Sequence, residues 1–161
     1  MKLKMMLLAA STTILAFLGN AHAQMPSEAK VKSAITRLLK VPVEKPSSDM
    51  ALVVDFAEKS DVVTIDIVQG LVNVGDTPRD TALLGYYVAG AVQYDLMNPK
   101  QAKDKLADKV AAVRASLLLY KAIRARDNSF KRPMLDDLAA LDKKGQLSQH
   151  IRSVMGKWNR G

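Results

Sequence analysis

Hydrolysis through a side-chain nucleophile needs a base within reach, and histidine is the usual one. The chain has two histidines, His22 and His150. His22 lies in a segment read below as removable, which leaves His150 among Ser148, Gln149, Arg152 and Ser153, surroundings typical of a helix surface. No glycine-x-serine-x-glycine elbow accompanies it. One histidine and no cysteine do not make a zinc set, and Asp76-Thr77-Pro78-Arg79-Asp80 lacks the ligand spacing of a calcium loop. Paired acids can cleave glycosides without histidine. The pairs on offer are Asp55 with Glu58, Asp104 with Asp108, and Asp136 with Asp137. Asp104 and Asp108 fall among lysines, as on a solvated face, and Asp136 and Asp137 fall in a first helical turn, where the helix dipole favours acids. No glycine loop suited to phosphate occurs. The sequence therefore assigns no catalytic, metal or cofactor residue, and an enzyme is the minor expectation.

Two groups of residues suit binding instead. Arg124, Arg126, Lys131 and Arg132 form the densest charge feature, a surface for a polyanion or an acidic protein partner. The plainer reading is a solvated helix end, where cations are favoured. Three of the four tyrosines, Tyr86, Tyr87 and Tyr94, share one apolar helix and suit an inter-helix cavity for a small apolar ligand. The plainer reading places them in the core, with each hydroxyl reaching a partner at its edge.

The N-terminus bears on which partners are available. Met1-Lys2-Leu3-Lys4 precedes an apolar stretch from Met5 to Leu18, and Ala21-His22-Ala23 then puts small residues at the −3 and −1 positions of a cleavage site. This pattern predicts a cleavable secretory signal over residues 1–23, with cleavage between Ala23 and Gln24. The apolar run is shorter than the ~20 residues that span a bilayer. The expectation is an exported protein, periplasmic or extracellular, with no transmembrane segment after signal removal. Export also makes nucleic acid an improbable partner, although the formal charge is +8 and drops by two when Lys2 and Lys4 leave. Without cysteine the remaining chain must hold together by packing, and residues 24–161 are enough for one core.

The elements that position these residues read as helices. Val31, Ala34, Ile35, Leu38 and Leu39 give an amphipathic helix from Glu28 to about Lys40. Pro42 and Pro46 end it and make residues 41–48 a linker. Ser47-Ser48-Asp49 offers a cap for a second helix ending near Lys59. The run Asp61-Val62-Val63-Thr64-Ile65-Asp66-Ile67-Val68 is β-branched and alternates like a strand. A lone strand, however, leaves its amides without partners. A helix through Asn73 is therefore expected there, against local propensity.

Thr77 as N-cap, Pro78 in the first turn and Asp80 open a central helix to Met97 that is apolar nearly all round. Gly85, Ala89 and Gly90 within it call for close backbone approach by a neighbour. A long amphipathic helix follows, from about Pro99 to Arg126, with Asp104, Asp108, Lys109 and Arg114 assigned to solvent. Further helices start at Pro133, stopped by Gly145, and at about Gln146. The stretch Leu138-Ala139-Ala140-Leu141 followed by Gly145 resembles the first helix of a tetratricopeptide unit. Its spacing differs by one residue and the roughly 34-residue period does not recur, so no property of that family carries over.

The expected fold is all-α, a single-domain bundle of five to seven helices with the central helix (78–97) packed on the long one (99–126). The expected function is that of an exported, non-catalytic protein that binds another macromolecule of the cell envelope. The alternatives are a carrier of a small apolar ligand or, less favoured, an enzyme.

Overall fold

The computed structural model describes residues 25–72, 75–101 and 104–158. The expected cleavage residues Ala21, Ala23 and Gln24 lie outside them. Six helices run in chain order: α1 (Glu28–Lys40), α2 (Ser48–Lys59), α3 (Pro78–Met97), α4 (Lys105–Arg126), α5 (Pro133–Lys143) and α6 (Leu147–Trp158). Among the described residues no strand forms, and no helix is long and apolar enough to cross a membrane. The fold is an all-α bundle. Helices α3 and α4 make the dominant contact, the α1–α2 pair packs against α3, and α5 and α6 pack against α4.

Local chemistry accounts for several helix ends. The Ser47 hydroxyl accepts the Met50 amide at 3.3 Å and starts α2. At α3, Thr77 Oγ1 accepts the Asp80 amide (3.2 Å) and donates to Asp80 Oδ2 (2.6 Å), a reciprocal cap with Pro78 in the first turn. Gly145 ends the α5 region with φ of 71°, the left-handed conformation that glycine adopts without strain.

The α3–α4 crossing is closest at Gly90. A Cβ there would lie 2.5 Å from the Ala111 carbonyl oxygen, 2.7 Å from Ala115 Cβ and 2.9 Å from Ala112 Cα. This is the backbone approach that the glycine implied. Gly85 faces something softer, the Met50 side chain of α2, whose sulfur would stand 3.1 Å from an added Cβ. Around the crossing, Leu83, Tyr86, Tyr87, Ala89, Leu117 and Leu119 are fully buried.

Two expectations about secondary structure are corrected. Residues 60–72 do not continue a helix; they form a largely extended strap that turns at Gly70 (φ 88°). An extended backbone needs partners for its amides, but these need not come from a second strand. Here side chains do it. Ser60 Oγ accepts the Val62 amide, an Asp95 carboxylate oxygen accepts the Thr64 amide, and the Tyr87 hydroxyl donates to the Asp66 carbonyl. Val63, Val68, Leu71 and Val72 of the strap then enter the core, which β-branched residues in extended conformation do well. The other correction is that α4 begins at Lys105 rather than near Pro99. Residues 98–101 form a turn in which the Gln101 amide donates to the Asn98 carbonyl. Asp104 supplies the cap by accepting the Leu106 and Ala107 amides, each at 3.1 Å.

Candidate functional site

The four cations read as a possible polyanion patch lie near one another, but three of them are engaged with carboxylates. Arg132, held at the start of α5, grips Asp80 through Nε and Nη2, both at 2.9 Å. Arg126 pairs with Glu44 at 3.1 Å. Arg124 reaches Asp136 at 3.6 Å, the Tyr120 hydroxyl at 3.3 Å and Asn128 at 2.8 Å. Arg79 joins Glu44 to Asp127, and the Phe130 ring sits 5.2 Å from the Arg79 guanidinium and 4.2 Å from that of Arg132. Lys131 is exposed. The cluster is thus an ionic and aromatic clamp tying the α4–α5 loop to the start of α3 and to the 41–48 linker.

Electrostatics follow from the pairing. Burial alone would raise the Asp80 carboxyl, yet the hydrogen bonds from Arg132 and Thr77 outweigh it and hold Asp80 below the usual range. Ser129 and Arg79 bring Asp127 down to about 2.

The three tyrosines separate. Tyr86 is fully buried, donates to the Leu38 carbonyl at 2.8 Å and accepts the Val43 amide at 3.0 Å, pinning the end of α1 and the linker to α3. Tyr87 is equally buried and holds the strap. Both are core residues with the hydroxyl at the edge. Tyr94 is half-buried and borders a surface groove that neither of the others lines.

That groove has a volume of about 560 Å³ and runs along α4. Its floor is apolar, with Leu106, Val110, Ala111 and Ala115 from α4 and Leu39 from the end of α1; Tyr94 of α3 and Ser148 of α6 form part of the rim. Leu118 lies in it and is 37% exposed. Arg114 stands at the edge, bonded to Asp142 at 2.9 Å. Leu106, Val110 and Leu118 are spaced as part of the apolar face of the long helix. The sequence did not show that part of that face stays uncovered.

A second cluster went unrecognised because two of its members were assigned to solvent. Asp108 and Lys109 of α4 are buried, Lys109 completely, and pair with each other. Asp66 of the strap lies 3.7 Å from Lys109 and 3.6 Å from the exposed Lys105. Asp95 of α3, only 3% exposed, bonds the Thr64 amide through one oxygen. Its Oδ1, like Asp108 Oδ1, is buried with no hydrogen-bond partner. Burial first, and then repulsion from Asp108, raise the Asp95 carboxyl to about 6. Burial likewise raises Asp108, against the pull of Lys109. Of the acid pairs considered for glycoside cleavage, Asp104 serves as the cap of α4, Asp55 pairs with Lys59 at 2.6 Å, and Asp136 accepts from the Tyr120 hydroxyl at 2.8 Å. Among the described residues no group of acids and histidines converges in a way that would hold a metal ion.

Comparison with protein-family models, curated proteins and solved structures finds no match to this chain.

Proposed function

We propose that the chain is an exported, non-catalytic helical protein that binds a partner protein in the cell envelope through the groove along α4. The observation that supports this most is the groove itself, which keeps Leu106, Val110 and Leu118 accessible together along one side of α4. Accessible apolar surface bordered by polar groups is typical of partner binding. The groove is open along its length, so a small apolar ligand would stay largely in water, whereas ligand pockets commonly bury about 70–90% of their ligand. The partner chemistry that fits is a protein segment with several apolar side chains on one face, such as an amphipathic helix lying along α4. The clamp around Arg132 is a weaker candidate, since its arginines are committed to Asp80, Glu44 and Asp127.

Site-specific photo-crosslinking in the producing cell tests the reading. A crosslinker at Leu118 is expected to give an adduct of defined size that is lost when Val110 is changed to Asp; one at Asp137, exposed on α5 and away from the groove, is expected to give none. Equal labelling from both positions, or adducts indifferent to Val110→Asp, would reject the groove. Mass spectrometry of the secreted or periplasmic chain is expected to find Gln24 at the N-terminus; a dominant form retaining residues 1–23 would reject cleavage.

A further inference from the structure

We propose that the strap of residues 60–72 is a pH-governed latch, closed over α3 and α4 while Asp95 is protonated and loosened when Asp95 ionises. Among the described residues the strap is the one long stretch between helices that carries buried apolar residues, and it is fastened by polar groups rather than by a ladder of its own. Its polar attachments include the Thr64 amide on Asp95, the Asp66 carboxylate beside Lys109 and Lys105, and the Asp66 carbonyl under the Tyr87 hydroxyl. Its own Val63, Val68 and Leu71 are buried in the core, and water would reach them if it lifted.

The chemistry that sets the latch is an excess of buried carboxylate. Asp95 is faced from α4 by Asp108 and Lys109, and has Tyr94 beside it on α3. Asp66 on the strap, Tyr87 on α3, and Asp104 and Lys105 at the start of α4 complete the ionisable surroundings. Lys109 is the one buried cation among three acids, and it already pairs with Asp108 and lies near Asp66. An ionised Asp95 in the closed state therefore has an unbonded oxygen out of water and a like charge close by. Lifting the strap hydrates that oxygen. A protonated Asp95 carries no buried charge, and its carbonyl oxygen still accepts the Thr64 amide. Since the closed state binds the proton more tightly than the open one, raising the pH must favour opening, and the change falls between the ordinary carboxyl value of about 4 and the closed-state value of about 6.

Hydrogen exchange of the whole chain, read peptide by peptide and corrected for the pH dependence of intrinsic exchange, measures the latch directly. Strap amides are expected to lose protection on the order of tenfold between pH 5 and pH 7.5, while α5 changes little. Asp95→Asn keeps an acceptor for Thr64 and removes the charge, so its strap should stay protected at both pH values. Constant protection of the parent strap, or an unaltered pH response in Asp95→Asn, would overturn the proposal. If Asp95→Asn does not fold by circular dichroism, Asp108→Asn serves instead: losing the like charge should move the midpoint to lower pH, and an unmoved midpoint would overturn the proposal equally.

Discussion

Helix α3 carries a buried aspartate near each end, and the two behave oppositely. Asp80 and Asp95 are each 3% exposed. Asp80 receives two hydrogen bonds from Arg132 and one from the Thr77 hydroxyl, and its carboxyl is held below the usual range. Asp95 receives one backbone amide, has an orphan oxygen, faces Asp108, and is raised to about 6. Equal burial thus gives opposite shifts, because desolvation disfavours the charge at both sites and a bidentate cation reverses it at one. One end of α3 is fixed by completed pairs. The other is fixed by an incomplete set that responds to protons.

The largest expected effect comes from the crossing that joins the two ends. Gly90→Leu should destabilise by at least about 3 kcal/mol in urea unfolding, because the added side chain meets the α4 backbone, which cannot move aside as a side chain can. Gly90→Ala should also destabilise, even though alanine favours a helix by about 1 kcal/mol. Gly85→Ala should be much milder, since the Met50 side chain can turn away. A Gly90→Ala variant at or above the parent midpoint would contradict the close crossing on which both ends depend.

At the paired end, Arg132→Ala should cost about 2–3 kcal/mol, less than for a fully buried pair because Arg132 is itself 28% exposed. Asp80 would be left buried without its main cation, and Phe130 would lose the guanidinium on its face. The pH dependence gives the sign. In the parent, Asp80 is lowered, so its stabilisation is present at neutral pH and fades as pH falls through the unfolded value near 4 and on toward the folded one. Without Arg132 the buried acid can protonate instead, so the penalty should shrink between pH 7 and pH 4. A penalty constant over that range would assign the loss to packing rather than charge.

At the incomplete end, the sign is reversed. A carboxyl raised to about 6 weakens the fold above that pH, and the native state gains stability as pH falls from about 6 toward 4. This gain should amount to about 1–2 kcal/mol for Asp95. Asp95→Asn should raise stability at pH 7.5 by about 1 kcal/mol and flatten the profile between pH 4.5 and 7. Destabilisation at both pH values would mean that Thr64 needs a carboxylate specifically, and the contrast with Asp80 would fail.

Much of the bundle was legible because helix ends are chemically local. Ser47 and Thr77-Pro78 start helices with groups three residues apart, and the glycine at 90 announced a close neighbour. What escaped depends on residues far apart in the chain. The strap is extended because Asp95 and Tyr87, on another element, take up its backbone groups. Asp108 and Lys109 have the spacing of a solvent face, yet the strap brings Asp66 onto them and α3 brings Asp95 and Tyr87, so that face is enclosed too. The arginine cluster read as free positive charge because Glu44 and Asp80, which neutralise it, lie well upstream. The groove escaped for a related reason: periodicity marks an apolar stripe but not where its cover stops, at Leu118.

The smallest effects should come from the outer edge of the paired end. Arg126 is 63% exposed and holds Glu44 at 3.1 Å, while Glu44 is also held by Arg79. Exposed pairs typically contribute about 0.2–1 kcal/mol and are screened by salt, so Arg126→Ala should cost under about 0.5 kcal/mol, and less still in 0.5 M salt. Lys131→Ala, at an exposed side chain beside the same clamp, should lie within about 0.5 kcal/mol of the parent whatever the ionic strength. Unfolding midpoints in low and high salt for Arg126→Ala, Lys131→Ala and Arg132→Ala together would show where the clamp ends. The expected order puts Arg132 far above Arg126, with Lys131 last, because energetic weight follows desolvation of the partner acid and not the density of positive charge. If Arg126→Ala costs as much as Arg132→Ala, Glu44 is part of a cooperative network with Asp80, and the paired end extends across the linker.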